Sequence, residues 1–325
     1  MTRLLSLVLA FTAFAFADGA NAQNYPDRPV TIIVPFSAGG GGDIVARIVG
    51  EALSRQLKQA VVIENVTGAG GTIGTRRAAQ SAPDGYTMVT VSPGTHSAAP
   101  ALYRELGYEA VESFSPIGMA SSTPNVLIAR GKIPAKTMQE FVAYAKANES
   151  KMTLGHVGPG SMTHLSCSIF NAQINVNPVA APYRGTPPLM QDLLGDRIDY
   201  TCQQPNGLGG LIDSGQIHAY AVADDRRSPL LPSVPTADEV GLPGFKSTAW
   251  IALAMPKGVP DAITAKMNDA LVKALDDPAL LARYRELGLV APRPEERSRE
   301  WLKKFMIAEM NRYVAIVKQL GIPSQ

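Results

Sequence analysis

The chain reads as an α/β protein made of two doubly wound domains with a ligand cleft between them, and three observations predict this. Short β-branched runs alternate with stretches whose apolar residues recur at helical spacing. The alternation runs once through, then restarts near residue 125. Three times a strand passes into a helix through a loop rich in Gly, Ser and Thr.

The first residues read as a leader and not as part of the fold. Arg3 supplies a positive start, an apolar run covers residues 4–17, and Ala20-Asn21-Ala22 is an A-x-A cleavage site before Gln23. Fourteen apolar residues are too short for a bilayer, which takes about 20. The mature chain is expected to begin near Gln23, outside the cytoplasm. About 300 residues then remain, enough for two domains with separate cores.

Residues 29–35 form the first expected strand, followed by Ser37, Ala38, the glycines 39–42 and Asp43, and by a helix from Ile44 with Val45, Ile48, Val49, Leu53 and Leu57 on one face. Residues 60–63 form a second strand, 65–71 its loop and 72–80 a short helix; 86–91 form a third strand. Strand–helix alternation of this kind predicts a parallel sheet. The second round places strands at 125–129, 151–155, 179–182 and 198–202, and helices at 137–147, 162–173 and 188–194. Residues 226–243 hold four prolines and little periodicity, which predicts a connector crossing back. A strand at 250–254 and helices at 261–275, 278–287 and 294–320, the last with a break, have no sheet of their own and are expected to pack on the first domain. The expected division is 1–22 leader, 23–122 with 225–325 as a discontinuous first domain, and 123–224 as an inserted second.

Thirty Lys and Arg against 28 Asp and Glu leave a formal charge of +2, and charged residues make up 18%. That near-neutrality argues against nucleic acid or an acidic membrane as partner. Cys167 and Cys202 are the two cysteines. In an oxidising compartment such a pair is expected as a disulfide, the alternative being two buried thiols.

The loops carry the chemistry. A helix start has unpaired N–H groups and about half a positive charge, glycine admits close approach, and the combination attracts anions. Such loops occur at 36–43, 68–72 and 158–163. Nucleotide phosphate is disfavoured, because a P-loop needs Lys then Ser or Thr where Asp43 and Ile44 stand; Asp43 is expected to cap its own helix. The run 68–74 resembles a loose dinucleotide fingerprint, but the next strand ends at Val91-Ser92-Pro93 without the acid that holds a ribose. A carboxylate suits neutral N–H donors; the bland reading is that the glycines only form tight turns. Ser161 lacks the trailing glycine of a nucleophile elbow, and His96, His156, His164 and His218 show no metal-binding spacing. No catalytic residue, metal or cofactor is called for.

Several motifs also match a known family. They are Tyr25-Pro26-Asp27-Arg28-Pro29; Pro35-Phe36-Ser37-Ala38-Gly39-Gly40 with Asp43, Ala46 and Arg47; Glu64-Asn65 with Gly68-Ala69-Gly70-Gly71; and Pro83-Asp84-Gly85-Tyr86-Thr87. Pro182-Tyr183-Arg184-Gly185, Asp192-Leu193-Leu194-Gly195, Leu231-Pro232-Ser233-Val234-Pro235-Thr236 and Gly241-Leu242-Pro243-Gly244-Phe245 follow. Over essentially the whole mature chain the sequence resembles the Bug/TctC-type solute-binding proteins of tripartite tricarboxylate transporters. The resemblance implies a type II periplasmic binding protein fold and a carboxylated ligand, a di- or tricarboxylate or an aromatic acid. It implicates Phe36, Ser37, Ala38, Gly39, Ala69, Gly70 and Gly71 from the first domain, with Thr95 beside the crossover. It adds Ser161, Thr163 and His164 from the second, Tyr183 and Arg184 near the cleft, and Gln204. Where many relatives carry an aromatic and an Asp or Asn, this chain has Cys202, Gln203 and Gln204, which puts an amino-acid ligand in doubt.

The resulting expectation is a monomeric periplasmic protein that binds a small carboxylate, closes about crossovers near Ser122 and Asp224, and delivers its ligand to a membrane permease. A sensor feeding a membrane signalling protein is the alternative, and an exported hydrolase using Ser161 is a remote one.

Overall fold

The computed structural model describes residues 25–158 and 161–319. The expected leader and its cleavage site lie outside the described residues. Among the described residues ten strands form two five-stranded sheets. The first contains β1 (Val30–Val34), β2 (Val61–Asn65), β3 (Thr87–Val91), β4 (Phe114–Pro124) and β10 (Thr248–Pro256), in the order β2-β1-β3-β10-β4. The second contains β5 (Val126–Arg130), β6 (Thr153–His156), β7 (Val179–Pro182), β8 (Tyr200–Gln203) and β9 (Ile217–Val222), in the order β7-β6-β8-β5-β9.

The sheets are mixed, not wholly parallel as the alternation predicted. β1 runs parallel to β2 and β3, but β10 is antiparallel to both β3 and β4. In the second sheet β6 is parallel to β7 and β8, while β5 is antiparallel to β8 and β9. The cause is chain path: β4 continues almost directly into β5 across Asn125, and β10 enters from the second sheet without a crossover helix. β4 is also an element the sequence hid. Its residues FSPIGMASSTP are rich in Ser, Gly and Pro and show no clean period, yet the strand is mostly buried on both faces.

Helix α1 (Gly41–Leu57) follows β1 and buries Val45, Ala46, Val49, Ala52 and Leu53. It begins three residues before the expected start and ends at Lys58, which adopts a left-handed φ of 54°. Helix α2 (Thr72–Ala79) follows β2, and a π-turn over Pro93–Ala98 leads to the single turn α3 (Ala99–Leu102). Helices α4 (Met138–Ala147), α5 (Met162–Ile174), α6 (Thr186–Leu194) and α7 (Gly209–Asp213) flank the second sheet. Helices α8 (Asp261–Leu275), α9 (Pro278–Leu287) and α10 (Arg299–Gln319) close the chain.

One face of the first sheet packs Ile32 and Met88 against Val49 and Leu53 of α1 and Met267 and Leu271 of α8. The other packs Val91 and Trp250 against Leu302 and Met306 of α10. The late helices therefore cover the first sheet, and the expected break falls between a 3-10 turn at Pro294–Glu296 and α10. The second sheet's core centres on aromatic rings: Phe141 stacks on Tyr220 with centroids 4.4 Å apart. Beside it Cys167 of α5 is disulfide-bonded to Cys202 of β8.

The proline-rich segment packs differently from the expected connector. Leu231 and Val234 join one core of the second sheet, Ala237 and Phe245 the other. Val222 N–H donates to Pro235 O, and Ala237 N–H returns to Val222 O. By packing, residues 226–246 belong with the second sheet, and the return passage lies at Ser247, not near residue 225 or Asp224. Prolines remove periodicity but leave alternate apolar side chains free to bury.

Candidate ligand-binding site

The loop after β1 is shaped by Asp43, in the first turn of α1. Asp43 is 2% exposed. Its Oδ2 accepts from Gly39 N–H at 2.8 Å and from Arg47 Nε at 2.9 Å; its Oδ1 accepts from Asn65 Nδ2 at 2.9 Å. Burial opposes ionisation of this carboxyl, but the bonds from Arg47, Gly39 and Asn65 outweigh it and hold the pKa down at about 2. Asp43 thus does not cap α1, contrary to the expectation from sequence. Gly40 occupies the N-cap with no side-chain bond, so the helix start is left open. Asn65 Nδ2 also donates to Phe36 O at 3.0 Å, binding this loop to the end of β2.

The loop after β2 runs through four successive positive φ values: 127° at Gly68, 44° at Ala69, 63° at Gly70 and 94° at Gly71. Within the turn Gly71 N–H donates to Gly68 O at 2.9 Å and Thr72 N–H donates to Ala69 O. Space is equally restrictive. A Cβ on Gly70 would lie 2.5 Å from the Tyr103 hydroxyl, and one on Gly71 2.8 Å from Thr95 Cγ2. Gly71 stands at the N-cap of α2, again without a side-chain cap.

Both loops border a cavity of about 540 Å³. Phe36, Gly41, Gly42, Val45 and Gly70 form one wall, and Ser92, Pro93, Gly94, Leu102 and Tyr103 continue it beyond β3. β4 and β10 contribute Ser121, Thr123, Ala249, Trp250 and Ile251, with Leu289 beside them. Val157, Ser161, Met162 and Gln204 face these from the second sheet's side. The cavity therefore lies between the two sheets. No charged side chain is in its lining among the described residues.

The start of α5 differs from those of α1 and α2. Ser161 is its N-cap, and its Oγ accepts from His164 N–H at 3.3 Å. Thr163 Oγ1 accepts from Val157 N–H at 2.9 Å and lies 3.1 Å from Ser161 Oγ. His164 packs on His156 with ring centroids 4.5 Å apart. Burial, and then the neighbouring His156, push its pKa down to about 4, so the ring is neutral at pH 7.

Of the residues expected from sequence, Phe36, Gly70, Ser161 and Gln204 line the cavity. Ser37, Ala38, Gly39 and Ala69 are exposed on the two loops beside it. Gly71 is buried near Phe36, and Thr163 and His164 stand behind Ser161. Thr95 is fully buried; its Oγ1 lies 2.8 Å from His96 Nδ1, so it backs the wall and does not line it. Tyr183 bonds Asp192 Oδ2 at 2.8 Å and Arg184 is exposed; neither lines the cavity. Sequence reasoning missed Tyr103, Met162, Leu289 and Trp250. Tyr103, Leu289 and Trp250 sit in segments with no motif, and Met162 directly follows Ser161 in a loop read for its polar residues.

Among the described residues no group of three His, Cys, Asp or Glu could hold a metal ion, and no helix is long and apolar enough to cross a membrane.

Comparison with known proteins gives a consistent likeness. The profile described as the tripartite tricarboxylate transporter family receptor matches residues 45–322. The chain is 32% identical to the protein BugT of Bordetella pertussis over 323 residues, 99% of this chain and 98% of that one. The solved structure of the periplasmic binding protein BugD is 38% identical, with a TM-score of 0.77 over 93% of this chain and 100% of that chain. The structure of MatC from Rhodopseudomonas palustris with bound malate is also 38% identical, with a TM-score of 0.76 over 90% of this chain and 100% of that chain.

Proposed function

The chain belongs to the tripartite tricarboxylate transporter receptor family, whose members are solute-binding receptors and not enzymes, and from that premise we infer that it captures a small organic carboxylate in the cleft between its sheets. The observation that carries the reading is the uncapped start of α1 at Gly40, tied to the end of β2 through Asp43 and Asn65, beside the glycine turn 68–71 at one end of the cavity. A carboxylate seated there takes its hydrogen bonds from backbone N–H groups whose positions are fixed before it arrives. The malate bound by MatC, on the same architecture, supports this ligand class.

Capture is completed by closure. The lobes are residues 25–124 with 248–319, and residues 125–247. At the second lobe's edge, where the chain passes between them, Asn125 N–H donates to Ser247 O, Ser247 N–H to Ala223 O, and Ala223 N–H to Asn125 O, each within 2.9 Å. Rotation about this triplet brings Ser161, Met162 and Gln204 onto a ligand already held by the first lobe. Contacts made only in the closed form shift the population toward it. The protein is exported to the periplasm behind a leader cleaved near Ala22, and its closed form is read by a membrane permease.

Thermal-shift screening of purified mature protein against mono-, di- and tricarboxylates tests the reading. A ligand at 100 times its Kd should stabilise by about 2.7 kcal/mol. Stabilisation by amines or sugars and by no acid would overturn it.

A further inference from the structure

Helix α10 does more than cover the first sheet. Leu302, Met306, Tyr313 and Val317 recur along one stripe of it, all of them buried. The first two pack on the first sheet's core beside Val91 and Trp250. About two turns further on, Tyr313 instead joins a separate cluster with Ala98 of the π-turn and Leu165 of α5, and Leu102 and Met162 pack against it. The Tyr313 hydroxyl reaches Met162 Sδ at 3.7 Å. Leu102 belongs to the first lobe and Met162 to the second, and both line the ligand cavity, whereas Tyr313 does not. Two facing walls of the cavity thus rest on one aromatic ring behind them.

A polar contact at the same turn of α10 joins the lobes independently. Arg312 Nη1 donates to Lys246 O at 2.9 Å, one residue before the return passage at Ser247. The rest of the guanidinium is held from within the helix: Nε donates to Glu309 Oε1 at 2.7 Å and Nη2 to Glu309 Oε2 at 2.8 Å, a bidentate pair. Its central carbon also stands 4.7 Å from the centre of the Tyr313 ring. The Glu309 side chain is 14% exposed and that of Arg312 31%, so the fork is oriented by its surroundings before it meets Lys246.

Resting on the reading of this cleft as the ligand site, we infer that Arg312 and Tyr313 are positioning residues for ligand capture. Anchored to the first sheet by α10, they fix the angle between the ligand-free lobes and with it the gap between Leu102 and Met162. The chain passages alone leave the second lobe free to swing; a rigid helix seated on both lobes removes most of that arc. Apparent affinity scales with the fraction of molecules already in the binding-competent arrangement. Loosening the helix spreads that population and weakens binding, although no group that touches the ligand has changed.

The test compares the mature native protein with Arg312→Met, Tyr313→Leu and Tyr313→Phe, well below their melting temperatures. Isothermal titration with malate, adipate and benzoate gives the affinities, and small-angle scattering the radius of gyration with and without acid. Arg312→Met and Tyr313→Leu should each weaken binding by about fivefold or more and shift the ligand-free radius, while the acid-saturated radius stays native. Tyr313→Phe keeps the ring and should bind within about twofold of the native protein. A purely structural role would lower the melting temperature and leave affinity and radius unmoved. Should Tyr313→Leu fail to fold, Arg312→Met, altered at the helix surface, decides by itself. Native affinity in the folded variants overturns the inference and leaves carboxylate capture standing. If none of the three acids binds the native protein, the carboxylate reading loses its support, and the ligand-free radius decides: a shifted radius sustains the role of α10, an unchanged one overturns it.

Discussion

Asn65 Nδ2 donates to Asp43 Oδ1 across 2.9 Å, so the last residue of one strand fixes the first turn of the helix that follows its neighbour. The loop after β1 and the end of β2 are thereby held together. Asp43 touches Gly39 N–H, Arg47 and Asn65 but is not in the cavity lining. It acts by positioning.

Asp43→Ala is expected to leave the Gly39 N–H without its acceptor and the Asn65 amide with Phe36 O alone. Losing such bonds costs about 1–3 kcal/mol. Ligand affinity measured by titration calorimetry should fall about tenfold or more, whereas Arg47→Ala, at an exposed position, should change it little. Equal affinity in Asp43→Ala and the native protein would show that the loops hold their shape without it.

Gly70→Ala places a methyl group 2.5 Å from the Tyr103 hydroxyl at a φ of 63°. Strain at such a site costs about 1 kcal/mol or more. Binding should be lost before the fold is, so circular dichroism should remain native while ligand-induced thermal shifts vanish. Tyr103→Phe combined with Gly70→Ala should recover part of the binding, because the obstructing oxygen is gone.

The Cys167–Cys202 disulfide spans 35 residues. In the chain-entropy model closing that loop contributes about 3–4 kcal/mol. Urea unfolding with and without reductant should show that loss in ΔG, and the double variant Cys167→Ala with Cys202→Ala should resemble the reduced protein. Identical midpoints in all three would remove the bridge from the protein's stability.

Acid should destabilise the fold earlier than its carboxylates require. Burial pushes the pKa of His96 down to about 3, and burial with His156 pushes that of His164 down to about 4. The unfolded chain protonates these rings near pH 6.5. Their contribution is therefore intact above about pH 6.5 and is lost as pH falls toward 4 and then 3. The slope should be on the order of 1 kcal/mol per pH unit for each ring. Asp43, with its folded value depressed to about 2, adds a loss only below about pH 4. Urea midpoints between pH 7 and pH 4 check this; a flat profile would contradict the buried, neutral histidines.

Asn125 sits at the passage between lobes, 2% exposed, with Nδ2 donating to Ser166 Oγ at 2.7 Å and Ser247 Oγ at 3.2 Å. Asn125→Ala leaves two buried hydroxyls short of a donor, at about 1–3 kcal/mol. The ligand-free radius of gyration by small-angle scattering should shift, since the amide braces α5 against the return strand. An unchanged radius with a lowered melting temperature would assign Asn125 to stability alone.

How much of this was legible beforehand follows from what periodicity measures. The helix facing of Val45, Val49 and Leu53 and the β-branched run of β1 were readable because each segment's burial is written in its own spacing. β4 was not, because both faces of a Ser- and Gly-rich strand are covered by neighbours far away in sequence. The prolines of 226–246 suggested a linker, yet Leu231, Val234 and Phe245 are buried on the second sheet.

By itself the sequence determined the α/β class, the twofold alternation, the glycine loops and the cysteine pair, since backbone freedom and local spacing are properties of short segments. Tertiary structure alone decided that β10 and β5 run antiparallel, that Asp43 binds a neighbouring strand's asparagine, and that Tyr103 and Trp250 reach the cleft while Arg184 does not. Those facts depend on which distant surfaces meet, and local spacing carries no record of a segment's partner.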